Sequence, residues 1–165
     1  MTAAPQKLPP GARRSAARLA SVQALYQMDM ASTDIQDIVH EFTSYRFASS
    51  EYNKGSAQPD ATFFKELLQG VMRCQRDIDP VVDEQLAAGW RLVRIDSILR
   101  AILRSALFEL MERPDVPVKV VINEYIDVAH AFFDAEEPRV VNGILHNLAG
   151  RYRPNEMKKD SSPDK

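Results

Sequence analysis

The most informative absences in this sequence are of cysteine and of long apolar runs. Cys74 is the only cysteine among 165 residues, so no internal disulfide can form. A chain of this length buries roughly 70% of its unfolded surface and needs neither a disulfide nor a metal to fold. No stretch approaches the roughly 20 apolar residues of a membrane span, and the N-terminus has no apolar run of signal-peptide length. We therefore expect a soluble, cytoplasmic protein with a reduced thiol.

The sequence also lacks the residue patterns of an active site. It contains no glycine-rich phosphate loop and no cysteine/histidine spacing of the zinc type. Its three histidines, His40, His130 and His146, fall on separate predicted elements, and Cys74 is expected to be a packed thiol. Carboxylates such as Glu109 occur at helical spacings typical of solvated faces. We therefore predict a protein that is not an enzyme and uses no cofactor and no metal.

Apolar residues recur at spacings of three and four along most of the chain, which indicates amphipathic helices. The clearest stripes lie between residues 91 and 150, around which the rest of the chain is organised. The predicted helices cover residues from about 12 to 30, 35 to 42, 60 to 88, 96 to 113, 117 to 133 and 138 to 150. Thr33 and Asp60 are predicted to cap the second and third helices, and Pro80 to kink or restart the third.

These helices predict an all-α fold. Two small helical bundles, of about three and three to four helices, should pack together near Trp90. A single helical domain should cover residues 12–150, with subdomains at about 12–88 and 91–150. Residues 1–11, which contain three prolines, are predicted to be a disordered basic arm, and residues 151–165 a disordered tail.

The net charge of −2 conceals an uneven distribution. Residues 1–28 carry a balance of +4, residues 151–165 carry +2, and residues 29–150 carry −8. Basic ends on an acidic body suit the binding of a polyanion, although solvated, disordered tails would give the same pattern. Arg14 and Arg18 are four residues apart and so share a ridge, at a helix N-terminus where the dipole disfavours cations. Phosphate binding would account for both arginines.

Two further groups of residues admit both a structural and a functional interpretation. Tyr26 and Met30, four residues apart, fit either edge packing or a groove at an interface. Asn142 is either a structural side chain or a contact to RNA. Gly143 lies inside the last predicted helix, where it should cost about 1 kcal/mol relative to alanine. A glycine there suggests a close approach of the backbone to another helix or to a ligand.

Several runs of sequence resemble the NusB family. Residues 13–29 (RRSAARLASVQALYQMD) are similar to the family's opening helix, and residues 94–133 and 139–149 (RVVNGILHNLA) to its second half. The most specific runs are Ala-Ile-Leu-Arg at 101–104, Asp-Val-Pro at 115–117, Ile-Asn-Glu at 122–124 and Val-Asn-Gly-Ile-Leu at 141–145. The similarity spans about residues 13–150 and is weakest from 31 to 90.

The resemblance implies a NusB-like fold and a non-catalytic RNA-binding factor of bacterial transcription antitermination. Members of the family bind boxA-type single-stranded RNA together with the ribosomal protein NusE, in a complex that keeps RNA polymerase elongating through ribosomal RNA operons. By position, the resemblance implies RNA contacts at Arg13, Arg14, Arg18, Lys119, Arg139 and Asn142. It implies NusE contacts at Tyr26, Met30, Arg94, Ile98 and Leu99.

The sequence departs from the family pattern in three places, one of which is the entry to the last predicted helix at Pro138, beside the expected RNA contacts. Ser15 and Ala16 interrupt the arginine cluster, and Ile98 and Leu99 stand where relatives can carry carboxylates. Two alternatives remain open. One is a NusB-like RNA-binding domain of the kind attached to ribosomal RNA cytosine methyltransferases, although no Rossmann-like half is expected here. The other is a partner-only helical adaptor or homodimer without specific RNA binding.

Overall fold

The computed structural model describes residues 11–49, 57–89 and 97–161, except for the side chains of 87–89 and 159–161. The helices in these ranges are α1 (Ala12–Ala31), α2 (Ile35–Glu41), a π-helical turn (Phe42–Arg46), α3 (Ala61–Gly89), α4 (Ser97–Glu112), α5 (Val118–Phe132), α6 (Glu136–Tyr152) and α7 (Pro154–Ser161). No strand occurs in the described ranges, and the predicted all-α fold is confirmed. None of the described helices is long and apolar enough to cross a membrane. The predictions for the arm up to residue 10 and for Trp90 lie outside the described residues.

α4 is the central helix of the fold. Every residue from Ala101 to Leu110 is buried, and α4 packs against α1, α3, α5 and α6. Its apolar side chains join those of the other five helices from α1 to α6 in one continuous core. The N-terminal helices α1–α3 and the C-terminal helices α4–α6 therefore share a core, so that a change at their contact affects both groups.

The two mid-helix glycines Gly70 and Gly143 have different surroundings. A Cβ added to Gly70 would lie 2.1 Å from Cζ of the buried Phe108 ring, so glycine is what allows α3 to cross α4 at this point. A Cβ added to Gly143 would meet no atom of the described residues within 4 Å. The predicted close approach of another helix to Gly143 is therefore wrong, and contact with a ligand is the interpretation left for it.

Local sequence signals account for one of the two predicted helix caps. The Asp60 carboxylate accepts a hydrogen bond from the backbone N–H of Phe63 at 3.0 Å, which confirms Asp60 as the cap of α3. The cap of α2 is Asp34, whose Oδ1 accepts a hydrogen bond from the backbone N–H of Gln36 at 3.3 Å. The prediction that Thr33 caps α2 is wrong, because the helix begins one residue later than a Thr33 cap requires.

α3 continues through Pro80 instead of restarting there. The flanking side chains of Ile78, Val81 and Val82 are all buried, and this packing holds both sides of the proline in one helix. Asp79, the cap that a restart would have required, accepts two hydrogen bonds from the Arg104 guanidinium of α4 at 2.8 and 3.1 Å. The carboxylate therefore joins α3 to α4.

The C-terminal part of the chain is ordered further than predicted. The buried side chain of Arg153, between α6 and α7, donates at 2.6–2.9 Å to four backbone carbonyls near the end of α4, those of Glu109, Leu110, Arg113 and Val116. Glu156 of α7 accepts from Arg153 and from the backbone N–H of Val118. The predicted disordered tail is wrong for residues 151–161, because these side chains satisfy backbone groups that the helix ends leave without partners.

Candidate nucleic-acid interface

The first turn of α1 carries two arginines. Arg13 is exposed, and its Nε donates to the Gln58 carbonyl at 3.3 Å. The guanidinium of Arg14 lies 4.7 Å from the centre of the Phe63 ring. Neither arginine forms a salt bridge with any residue in the described part of the chain. The N-cap residue is Gly11, which has no side chain with which to cap the helix. Within the part of the chain that the structure describes, first-turn N–H groups without a side-chain cap and two cations therefore share this end of α1 and favour an anion.

The ring of Phe63 contacts three guanidinium groups. Those of Arg14, Arg18 and Arg113 lie 4.7, 5.0 and 5.4 Å from its centre. Arg113 also forms salt bridges with Asp115 at 3.0 Å and with Glu66 of α3 at 2.5 Å. The hydrogen bond from Arg113 lowers the pKa of Asp115, and the charge of Arg14 lowers it further. Arg14 therefore lies near the α4–α5 loop but forms no salt bridge with the described residues of that loop.

Arg18 lies inside the protein, so its predicted contact with RNA is wrong, although it shares a ridge with Arg14 as predicted and both guanidinium groups contact the Phe63 ring. Its side chain is 2% exposed, and its Nε and Nη2 donate to the two carboxylate oxygens of Glu109 at 2.9 and 3.0 Å. Glu109 is 0% exposed and also accepts from the Tyr125 hydroxyl at 2.5 Å. The expectation of a solvated Glu109 is therefore wrong as well. Because α3, α4 and α5 all pack against α1, the face that carries Arg18 points into the core.

The remaining predicted RNA contacts form two groups along α5. Ser15 of α1 donates to Glu124 of α5 at 2.7 Å, and the far ends of these two helices meet at one groove, so α1 and α5 run side by side in parallel. Lys119 is exposed in the first turn of α5, at the end that carries the α1 arginines. Arg139 and Asn142 are exposed on α6, which follows the other end of α5. α5 has 15 residues and is therefore about 20 Å long, with Lys119 near its beginning and the start of α6 beyond its end.

A groove of about 400 Å³ lies at the C-terminal end of α1. It is lined by Val22, Gln23, Tyr26, Gln27, Met30, Ala31, Arg46, Ile98 and Phe132. Three of the predicted partner contacts, Tyr26, Met30 and Ile98, meet there, and Met30 is 64% exposed. Leu99 is 2% exposed and belongs to the core, so its predicted role at the surface is wrong. One step along α4 turns a side chain by about 100°, from the groove to the interior. Arg94 lies outside the described residues.

Sequence reasoning did not identify Arg46 as a residue of the groove. Residues 42–46 follow the predicted second helix, and the π-helical turn that they form has no recognised apolar period. The available signal was the spacing of five residues between Glu41 and Arg46, which bond each other at 3.1 Å. No group of three His, Cys, Asp or Glu side chains suited to a metal occurs within the residues described.

The sequence comparisons agree with this arrangement of helices. The family model described as NusB family matches residues 15–150. This chain belongs to the NusB family. A relative in the family, the transcription antitermination protein NusB of Bradyrhizobium sp. (strain BTAi1 / ATCC BAA-1182), is 50% identical over 145 residues, which cover 88% of this chain and 86% of that protein. The corresponding protein of Bartonella tribocorum (strain CIP 105476 / IBS 506) is 46% identical over 141 residues, 86% of this chain and 90% of the relative.

The structural comparison gives the same family. T. maritima NusB is similar with a TM-score of 0.70 and 26% sequence identity, over 93% of this chain and 99% of that one. The resemblance drawn from residues 13–29, 94–133 and 139–149 is therefore confirmed. NusB proteins are non-catalytic transcription antitermination factors, and membership of the family confirms that this chain is not an enzyme.

Proposed function

We propose that this chain binds boxA-type single-stranded RNA together with the ribosomal protein NusE. In doing so it would help an RNA polymerase antitermination complex to transcribe ribosomal RNA operons processively. The observation that carries the proposal is the pair Arg13 and Arg14, which have no carboxylate partner among the described residues and share an uncapped helix N-terminus. Other guanidinium groups near them, those of Arg18 and Arg113, are held by carboxylates.

Phosphate contacts at this end of the molecule would supply salt-sensitive affinity. Arg13, Arg14 and Lys119 are the cations in position to make them. Three contacts to a single strand predict a slope of about −2 when the logarithm of the association constant is plotted against that of the salt concentration. This electrostatic contribution does not distinguish one sequence from another. Specificity must come from unstacked bases held against side chains.

The protein alone has few groups that could hold bases beside these cations. Phe63, the aromatic ring next to the arginines, is buried and is not open to stacking by a base. A partner that extends the surface would therefore raise both affinity and specificity. Arg139 and Asn142 belong to the proposal as contacts for an RNA strand that continues from the α1 arginines toward that partner.

The groove at the other end of α1 is the proposed NusE surface. Tyr26, Met30 and Ile98 give it an apolar floor and an exposed methionine, a composition typical of protein interfaces. α1 thus carries the proposed RNA contacts in its first turn and the proposed partner contacts in its last two turns. The same exposed groove would also serve a partner-only adaptor or a homodimer, which is the alternative that the experiment must separate.

The test is fluorescence anisotropy with a labelled boxA-type RNA and a scrambled control, with and without purified NusE, at two salt concentrations. We expect preferential binding of the boxA-type RNA that strengthens when NusE is added. Replacing Arg13 and Arg14 by glutamine should weaken binding and reduce the salt slope by about 1.4, or about 0.7 for each phosphate that is no longer neutralised. The matched control replaces Arg73 and Arg76, two exposed arginines of α3, and should leave both quantities unchanged.

Each alternative outcome contradicts a defined part of the proposal. Equal affinity for the two RNAs, or no binding under any condition, would leave the adaptor as the better account. Gel filtration with and without RNA would then show whether the groove holds a second copy of the chain. Unchanged RNA binding in the Arg13/Arg14 variant, with boxA preference retained, would instead remove the arginines from the site.

A further inference from the structure

The groove that we assign to NusE contains one strongly positioned cation. Among the described residues that line it, Arg46 is the only charged one; the others are apolar, aromatic or amide side chains. We propose that Arg46 determines which partner segment the groove accepts. The segment it fits places a carboxylate beside an apolar anchor. This inference rests on the proposed function, because it concerns the same surface.

Two neighbouring side chains hold the Arg46 guanidinium in place. Its Nε donates to Glu41 Oε1 at 3.1 Å, and its Nη2 donates to Gln27 Oε1 at 2.9 Å. Gln27 Nε2 in turn donates to Glu41 Oε2 at 3.0 Å, which closes a ring of three side chains. The guanidinium also lies 4.4 Å from the centre of the Phe42 ring. A cation held in this way loses little side-chain entropy when a partner binds.

The π-helical turn is what brings Arg46 back to Glu41. In an α-helix, residues five apart point about 140° away from each other. A π-helical turn closes hydrogen bonds between residues five apart, and here the backbone N–H of Phe47 donates to the Phe42 carbonyl at 2.9 Å. Phe42 and Phe47 anchor the turn, because both pack against Phe64 of α3 with ring centres 5.4 and 5.1 Å from it.

The Nη1 end of the Arg46 guanidinium is available to hydrogen-bond a ligand. The bonds to Glu41 and Gln27 use Nε and Nη2, whereas Nη1 has no hydrogen-bond partner among the residues that the structure describes. Two of the five N–H donors of arginine belong to Nη1, so these two remain for a ligand on a side chain that is 42% exposed. A carboxylate oxygen is the acceptor that such a charged donor binds most strongly.

The two parts of the groove would then have different tasks. The apolar floor around Met30 accepts many hydrophobic side chains and discriminates weakly among them. Arg46 adds a condition on charge. Glu41 pairs with the Nε and Nη2 side of the guanidinium, so a partner reaches it at Nη1. A lysine or arginine there offers no acceptor to the Nη1 donors, whereas an acidic side chain would gain a charge-assisted bond. A segment with an aliphatic or aromatic anchor and a neighbouring aspartate or glutamate satisfies both.

The test measures the dissociation constant for purified NusE by isothermal titration calorimetry. Arg46→Gln should weaken binding roughly ten- to a hundred-fold, the effect of losing one charge-assisted hydrogen bond. Arg46→Lys keeps the charge but loses the planar guanidinium, so its dissociation constant should lie between those of the wild type and Arg46→Gln. Met30→Ala should weaken binding as well, since it removes the apolar contact. The matched control is Arg151→Gln, a half-exposed arginine paired with Glu84 on another face, which should bind as the wild type does.

A double-mutant cycle identifies the partner's carboxylate. Each aspartate and glutamate on the NusE surface is replaced in turn by asparagine or glutamine, and one replacement should weaken binding to the wild type but not to Arg46→Gln. The role of Arg46 would be overturned if Arg46→Gln bound NusE with wild-type affinity while its circular dichroism was unchanged. If Met30→Ala bound NusE more weakly in the same experiment, the groove would remain the NusE site. No binding of NusE by the wild type would overturn the proposed function and this inference together.

Discussion

Replacing Arg18 by methionine should destabilise the protein far more than the loss of an RNA contact would explain. Methionine keeps an apolar stem of similar length but removes the guanidinium that binds both oxygens of Glu109. The carboxylate would then remain at 0% exposure with the Tyr125 hydroxyl as its one side-chain donor among the described residues. Breaking a buried ion pair from one side costs about 3–5 kcal/mol.

The assay is urea unfolding followed by circular dichroism. With a total stability of about 5–15 kcal/mol expected for such a domain, the loss would be a large fraction of the whole. The triple variant Arg18→Met, Glu109→Leu, Tyr125→Phe replaces the network by apolar side chains. It should return to within about 1 kcal/mol of the wild type, because no buried charge is left without a partner.

Two results would refute this reasoning. One is a loss of less than about 1 kcal/mol in the free energy of unfolding of Arg18→Met, with the slope of that free energy against urea concentration unchanged. This result would mean that water reaches Glu109. The other is a triple variant as unstable as the single one, which would mean that packing rather than charge is at stake. A stable triple variant also tests the function of Arg18 directly. It should retain wild-type RNA affinity, since a buried guanidinium does not meet phosphate.

Two further predictions concern stability. Arg153→Met should lower the free energy of unfolding in urea by about 2–4 kcal/mol, because four backbone carbonyls lose their donor. The control Arg151→Met removes a largely exposed ion pair and should lower it by less than about 0.5 kcal/mol. Equal losses in the two variants would contradict the assigned role of Arg153. Burial raises the pKa of Tyr125, so its contribution to stability should be fully present below the unfolded value of about 10 and be lost as the pH rises above it. Urea midpoints measured from pH 8 to 11 should fall more steeply for the wild type than for Tyr125→Phe.

The sequence predicted the helices well because their apolar stripes and caps are local signals. Asp60 illustrates this, since a cap depends on residues three positions apart. Several of the errors, those at Arg18, Glu109 and Arg153, fall on polar residues whose partners are distant in the chain. Arg18 and Glu109 are 91 residues apart, and each alone has the pattern of a solvated residue. Arg153 finds its partners 37 to 44 residues earlier, which no local composition indicates.

The candidate site was predictable in part for the same reason. Tyr26 and Met30 were recognisable as a pair from their spacing, and the groove contains both. Leu99 was assigned to the surface with its neighbour Ile98, although adjacent helical residues point in different directions. Arg46 was not recognised, because a π-helical turn depends on the packing of Phe42 and Phe47 around Phe64 rather than on a periodic pattern.

α1 fixes the spacing between two surfaces as a rigid rod does. Arg14 and Tyr26 are 12 residues apart in one uninterrupted helix, which corresponds to about 18 Å along its axis. Inserting a single residue between them would lengthen this distance by about 1.5 Å and turn one end by about 100° against the other. The register of the helix, more than the identity of any one side chain in it, would therefore determine whether the proposed RNA path and the proposed docked protein can be bound at the same time. Evolutionary change in length should be confined to the connections outside α1.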